Sequence, residues 1–101
     1  MKWAYGVTTV PQRFNDLLPR TLMSLRLAGF DAPRLFIDGD DGNWLRSLGW
    51  TQEMTCRVPK VRTYGNWILG LAELYVRNPS ADRYAMFQDD FVTYRNLRTY
   101  L

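Results

Sequence analysis

The chain has 101 residues, of which 47% are hydrophobic, 15% aromatic and 23% charged; this fits one folded domain and excludes a disordered segment. Thirteen Lys and Arg against ten Asp and Glu leave a formal charge of +3, which suits an anionic ligand but is too small a surplus to indicate a nucleic-acid surface. There is no histidine and a single cysteine, Cys56, so imidazole acid–base chemistry, zinc sites built on histidine and intrachain disulfides are excluded, and a metal here must be held by oxygen ligands, as Mg2+, Mn2+ or Ca2+ are.

The first strand is expected at Trp3 to Val10, "WAYGVTTV", where Pro11 ends it. A helix follows, capped by Asn15 or Asp16, with Pro19 tolerated in its first turn. Leu18, Leu22 and Leu25 fall on one face, and Gly29 suits the residue just past its end. Arg34 to Ile37, "RLFI", is the second strand and runs into the turn "DGDDG". A short helix is expected over Asn43 to Leu48. Arg57 to Arg62 is the third strand, which Pro59 confines to an edge or a strand start. A longer helix covers Asn66 to Arg77, with Trp67, Leu71, Leu74 and Tyr75 as a core stripe, and Asn78-Pro79 ends it. Trp3 and Phe36 are expected in the core as well. Tyr84 to Gln88 is the fourth strand, and "TYRNLRTYL" begins a further helix. No segment has the roughly 18 uninterrupted apolar residues of a membrane helix, and "MKWAYGVTTVPQR" lacks the apolar stretch of a secretion signal. The expectation is a cytoplasmic chain without a membrane span.

Strands alternating with helices predict an α/β domain with a mainly parallel sheet, Rossmann-like, with helices on both faces in three layers. Near-continuous apolar strands agree with that prediction. Ligands of such sheets bind beyond the carboxyl ends of the strands. Those ends carry Thr8, Thr9, Pro11, Gln12 and Arg13 after strand 1, Asp38, Asp40 and Asp41 after strand 2, and Gln88, Asp89 and Asp90 after strand 4. If strands 2 and 4 flank strand 1, their ends stand about 9–10 Å apart, a span that a nucleotide can bridge. Adjacent carboxylates repel each other, and a hard divalent cation removes that cost while taking phosphate oxygens and water as its remaining ligands. The plain alternatives are a solvated turn or helix cap at Asp89-Asp90 and a tight turn at "DGDDG". A receiver-like phosphotransfer domain would need an acidic residue at the end of the central strand and a late Lys. Strand 1 ends instead in Thr8 and Thr9, and Lys occurs only at positions 2 and 60.

Four stretches, "YGVTTVPQR", "LPRTLMSLRLAGF", "LFIDGDDGN" and "YAMFQDDF", resemble in order the N-terminal, nucleotide-binding half of a GT-A-fold glycosyltransferase, and the likeness covers nearly the whole chain. The resemblance implies a single domain, residues 1–101, that binds a UDP- or GDP-sugar through Mn2+ or Mg2+ and transfers the sugar to an acceptor. It implies Thr8 and Arg13 near the base or diphosphate, Asp38 at the base or ribose, and Asn66 facing the nucleoside. Asp89 would touch ribose or metal, and Asp90 would be the principal metal ligand. Gln88 replaces the first acidic residue of the family's DxD motif, which removes one negative charge. The chain stops just after the motif, so an acceptor half is expected to be missing and no catalytic base is assigned. The alternative expectation is a non-catalytic module that binds nucleotide or a protein, as a homo-oligomer or with a partner chain over the missing half.

Overall fold

The computed structural model describes residues 1–92, 95 and 97–100. Its strands are β1 (Trp3–Thr9), β2 (Arg34–Asp38), β3 (Met54–Arg57) and β4 (Arg83–Gln88). Its helices are α1 (Leu17–Ala28), α2 (Asn43–Ser47), α3 (Arg62–Arg77) and α4 (Leu97–Tyr100), with a 3-10 turn at Pro11–Arg13. The four strands form one parallel sheet in the order β3-β2-β1-β4. The chain is therefore an α/β domain, compatible with a Rossmann-like fold, and β2 and β4 do flank β1. Within the segment expected to form the last helix, Thr93, Tyr94, Asn96 and Leu101 lie outside the described residues.

Alternation along the strands sorts their side chains. Val7, Leu35 and Ile37 enter a buried cluster with Leu18, Leu25 and Ala28 of α1, Leu45 of α2, and Phe14 and Phe30. Each fully buried Leu or Phe there contributes about 2 kcal/mol of apolar burial. Phe36, between Leu35 and Ile37 on the other face, meets Gly70 of α3, which also faces Met86, and the same ring lies over Gly6 of β1. Helix α1 ends as its sequence indicates. Gly29 sits at φ 104°, in the left-handed region, and its N–H donates to the carbonyls of Arg26 and Leu25, while Phe30 N–H closes on Leu25 O at 2.8 Å.

Four expectations need correction. The third strand is Met54–Arg57, not Arg57–Arg62, so the two ranges share only Arg57. The reason lies after the strand, where Pro59 lacks an N–H for a ladder and the N–H groups of Val61 and Arg62 go to the carboxylate of Asp38 at 2.7 and 2.8 Å. Those bonds turn the chain into α3, which consequently begins at Arg62, four residues before Asn66. The buried seam of α3 is Asn66, Gly70 and Leu74, whereas Tyr75 is 61% exposed. At Gly70 the helix lies too close to Phe36 and Met86 for a larger side chain, and Asn66 is buried where its amide bonds Phe36 O and Arg57. Trp3 is only partly buried, at the rim of the cluster, while Phe36 is fully buried as expected.

Candidate functional site

The sheet register brings the strand ends together. Thr9 of β1 lies beside Ile37 of β2, and Thr8 lies beside Gln88 of β4. The next residues, Asp38 and Asp89, thus flank the end of β1. A cleft of about 130 Å³ opens there, lined by Thr8, Thr9, Val10, Arg13, Asp38, Thr63, Asn66, Gln88, Asp89 and Asp90. All six residues singled out from the sequence, Thr8, Arg13, Asp38, Asn66, Asp89 and Asp90, line this one cleft. Asp40 and Asp41 do not. Asp40 accepts from Gly42 N–H at 2.9 Å and Asp41 from Asn43 N–H at 3.0 Å, so both stabilise the "DGDDG" turn. A larger open hollow of about 550 Å³ lies at the opposite ends of β1 and β4, over Trp3, Leu71, Tyr75 and Tyr84. It has apolar walls with Asp82 and Arg83 at its rim. The convergent polar groups are in the smaller cleft.

No protein-family model, curated protein or solved structure matches this chain. Function is therefore argued from the side chains of the cleft itself.

At one end Asp38, 3% exposed, is engaged by the start of α3. A carboxylate seated on backbone N–H groups at a helix start is favoured by both hydrogen bonding and the helix dipole. Asn66 is 1% exposed. Its amide nitrogen donates to Phe36 O at 2.8 Å, and its amide oxygen accepts from Arg57 Nε at 2.9 Å. That pair of bonds fixes which way the amide faces. Arg57 Nη2 is buried without a hydrogen-bond partner among the described residues. Arg57, Thr63 and the buried Thr21 are residues that sequence reasoning missed. Thr21 was detectable, because it is a hydroxyl three residues after Leu18 on the apolar face of α1.

At the other end Asp89, 4% exposed, is held on three sides. Its Oδ1 accepts from Arg13 Nη1 at 2.7 Å, its Oδ2 from Thr9 Oγ at 2.8 Å, and its main-chain oxygen from Thr21 Oγ at 2.6 Å. Asp90 is half exposed and lies 3.8 Å from the same Arg13 nitrogen. The hydrogen bond and charge of Asp89 push the Arg13 pKa above its already high ordinary value, with a smaller contribution from Asp90. Thr8 is buried and its hydroxyl makes a long 3.5 Å bond to Phe87 O.

Two carboxylates thus converge on one positive group, and the guanidinium stands where a cation would be favoured. The fit to a divalent metal rests on Asp90, whose carboxylate keeps open coordination sites. Among the described residues no group of three His, Cys, Asp or Glu side chains forms a closed metal cage. An Mg2+- or Mn2+-type site that relies on one or two carboxylates and on ligand phosphates needs no such cage.

Proposed function

We propose that the chain is the nucleotide-binding portion of a GT-A-like glycosyltransferase, taking a nucleoside diphosphate sugar at the carboxyl ends of β1, β2 and β4. The observation that carries this reading is the single cleft that gathers Thr8, Arg13, Asp38, Asn66, Asp89 and Asp90. The reading includes a three-layer arrangement. Supporting it, the Val7, Leu35 and Ile37 side chains go to the cluster with α1 while Phe36 and Met86 go to Gly70 of α3. No described helix is long and apolar enough to cross a membrane.

The cleft is smaller than the roughly 300 Å³ from which drug-sized sites begin. It accommodates a ribose or a diphosphate, and the rest of a sugar nucleotide extends outward. In this reading Asp38, Thr63 and Asn66 form the nucleoside end. Arg13 offers a guanidinium to phosphate oxygens, and Asp90 offers a carboxylate to the cation. A bound Mn2+ or Mg2+ supplies charge neutralisation on a departing diphosphate. Arg13 lowers the cost of bringing a polyanion against three aspartates.

Calorimetric titration with UDP and GDP, with and without Mn2+, tests the reading. Metal-dependent binding that weakens at least tenfold in Asp90→Ala is expected. Absence of binding by either nucleotide, or binding untouched by Asp90→Ala, sinks it. Transfer from a UDP- or GDP-sugar then separates a working transferase from a module that only binds.

A further inference from the structure

Asp89 has a geometry at odds with the part that the resemblance gives it. Its side chain is 5% exposed, against 52% for its neighbour Asp90. Both of its carboxylate oxygens already accept short, charge-assisted or buried hydrogen bonds, one from Arg13 and one from Thr9. Its backbone is tied to α1 through Thr21. To ligate a metal it would have to give up one of these bonds inside a desolvated pocket, which is costly for a buried acceptor and its abandoned donor. Asp90 carries no such burden, since among the described residues its one close charge contact is the 3.8 Å approach of Arg13.

Arg13 shows the complementary pattern. It lies in the 3-10 turn after β1 with a side chain 40% exposed, and it lines the cleft. A guanidinium has five N–H donors, and among the described residues its bond to Asp89 and its contact to Asp90 both run through Nη1. A free arginine side chain carries rotamer entropy that a ligand must freeze. The buried anchor freezes it beforehand.

We propose that Asp89 is a positioning residue: it holds the Arg13 guanidinium over the cleft for the phosphate oxygens of a nucleoside diphosphate and leaves the cation to Asp90. This rests on the nucleotide-binding reading above. Thr9 and Thr21 complete the anchor by fixing the Asp89 side chain and backbone respectively.

The test is a double-mutant cycle on the full chain. UDP and GDP, and their phosphate-free counterparts uridine and guanosine, are titrated in the presence of Mn2+ into wild type, Asp89→Asn, Arg13→Gln and the double variant. Asp89→Asn is expected to weaken the diphosphates about tenfold, the scale of one charge-assisted bond, and to narrow the diphosphate-over-nucleoside preference by a similar factor. In the Arg13→Gln background the same change is expected to add less than about twofold, because the two residues act as one unit. Thr9→Val, which removes one bond of the anchor, gives the same pattern at smaller size and serves if Asp89→Asn fails to fold. Mn2+ affinity is measured separately by paramagnetic resonance, and its main loss is expected in Asp90→Asn. An additive cycle, an equal loss for uridine and UDP, or a loss of Mn2+ in Asp89→Asn matching that in Asp90→Asn overturns the proposal. Wild-type binding with any of those outcomes defeats this inference alone, whereas a wild type that binds no nucleotide defeats the functional reading with it.

Discussion

Asp38 shows how a residue read as a ligand contact also holds the fold. Its two carboxylate oxygens take the N–H groups of Val61 and Arg62, and Arg62 sits at φ 72°, a left-handed conformation that costs a non-glycine residue about 1 kcal/mol. The hydrogen bonds stabilise that strained backbone and set the first turn of α3, which carries Thr63 and Asn66 into the cleft. Asp38→Ala is expected to destabilise the chain by about 2 kcal/mol, the scale of losing two charge-assisted, part-buried bonds. Arg62→Gly in that background is expected to restore roughly 0.5–1 kcal/mol, because glycine adopts positive φ without steric cost. Urea denaturation measures both. A loss under about 0.5 kcal/mol for Asp38→Ala would show that the start of α3 holds without it, and would leave Asp38 free to serve the ligand alone.

Helix α3 and the sheet meet around one ring. Phe36 is fully buried and packs into space left by two glycines, Gly6 on β1 and Gly70 on α3. A Cβ on Gly6 would come within 2.4 Å of the Phe36 ring and 2.9 Å of the Arg34 carbonyl oxygen, whereas one on Gly70 would meet Met86 Cε at 2.8 Å and the ring at 3.2 Å. The Met86 methyl is the tip of a flexible chain and can move, but the Arg34 carbonyl is part of β2 and cannot. Gly6→Ala is therefore expected to cost about 3 kcal/mol. Gly70→Ala is expected to cost no more than about 1 kcal/mol, since overpacking is offset by the helix propensity of alanine. Adding Phe36→Leu relieves Gly6→Ala only in part, because the carbonyl contact remains. Thermal denaturation of the three variants decides the order, and equal losses for the two glycine substitutions would refute this account of the interface. The same contact explains what the sequence concealed. The apolar stripe of Trp67, Leu71, Leu74 and Tyr75 marks α3 as a helix and includes one residue of the seam against the sheet, Leu74, but the other two, Asn66 and Gly70, are chosen for hydrogen bonding and size over hydrophobicity. The strand at "MTCR" was hidden for a related reason, as it pairs on β2 alone and buries its residues only partly.

Across the whole molecule, what depends on chain order was legible and what depends on side-chain partners was not. Alternating elements and apolar strands indicated the parallel sheet, and the rule for strand ends located the cleft that holds Thr8, Asp38 and Asp90. The bonding of Asp89 to Thr9, Thr21 and Arg13 joins residues 68 to 80 positions apart, and no local pattern encodes it. Electrostatics at this scale give a pH profile. Burial alone pushes the Glu73 carboxyl up, but the Thr55 hydroxyl, Arg77 and Arg34 outweigh it and hold the pKa below the ordinary 4.5. A depressed carboxyl contributes stability that is fully present above its unfolded value and is lost as pH falls through the folded one. Tyr5 is shifted the other way. Burial raises its phenol above 10.0, against the lowering effect of Arg98, with Asp31 adding its charge and accepting the hydroxyl's hydrogen bond on its carbonyl. Its contribution is present below the unfolded value and lost as pH rises through the folded one. With no histidine in the sequence to titrate between them, the melting temperature is expected to stay level from about pH 5.5 to 9 and to fall on both sides. Glu73→Gln should flatten the acid limb and Tyr5→Phe the alkaline limb, each leaving the opposite limb in place. A step in melting temperature near neutrality, or an acid limb unchanged in Glu73→Gln, would show that the clamp among β2, β3 and α3 does not govern the acid response.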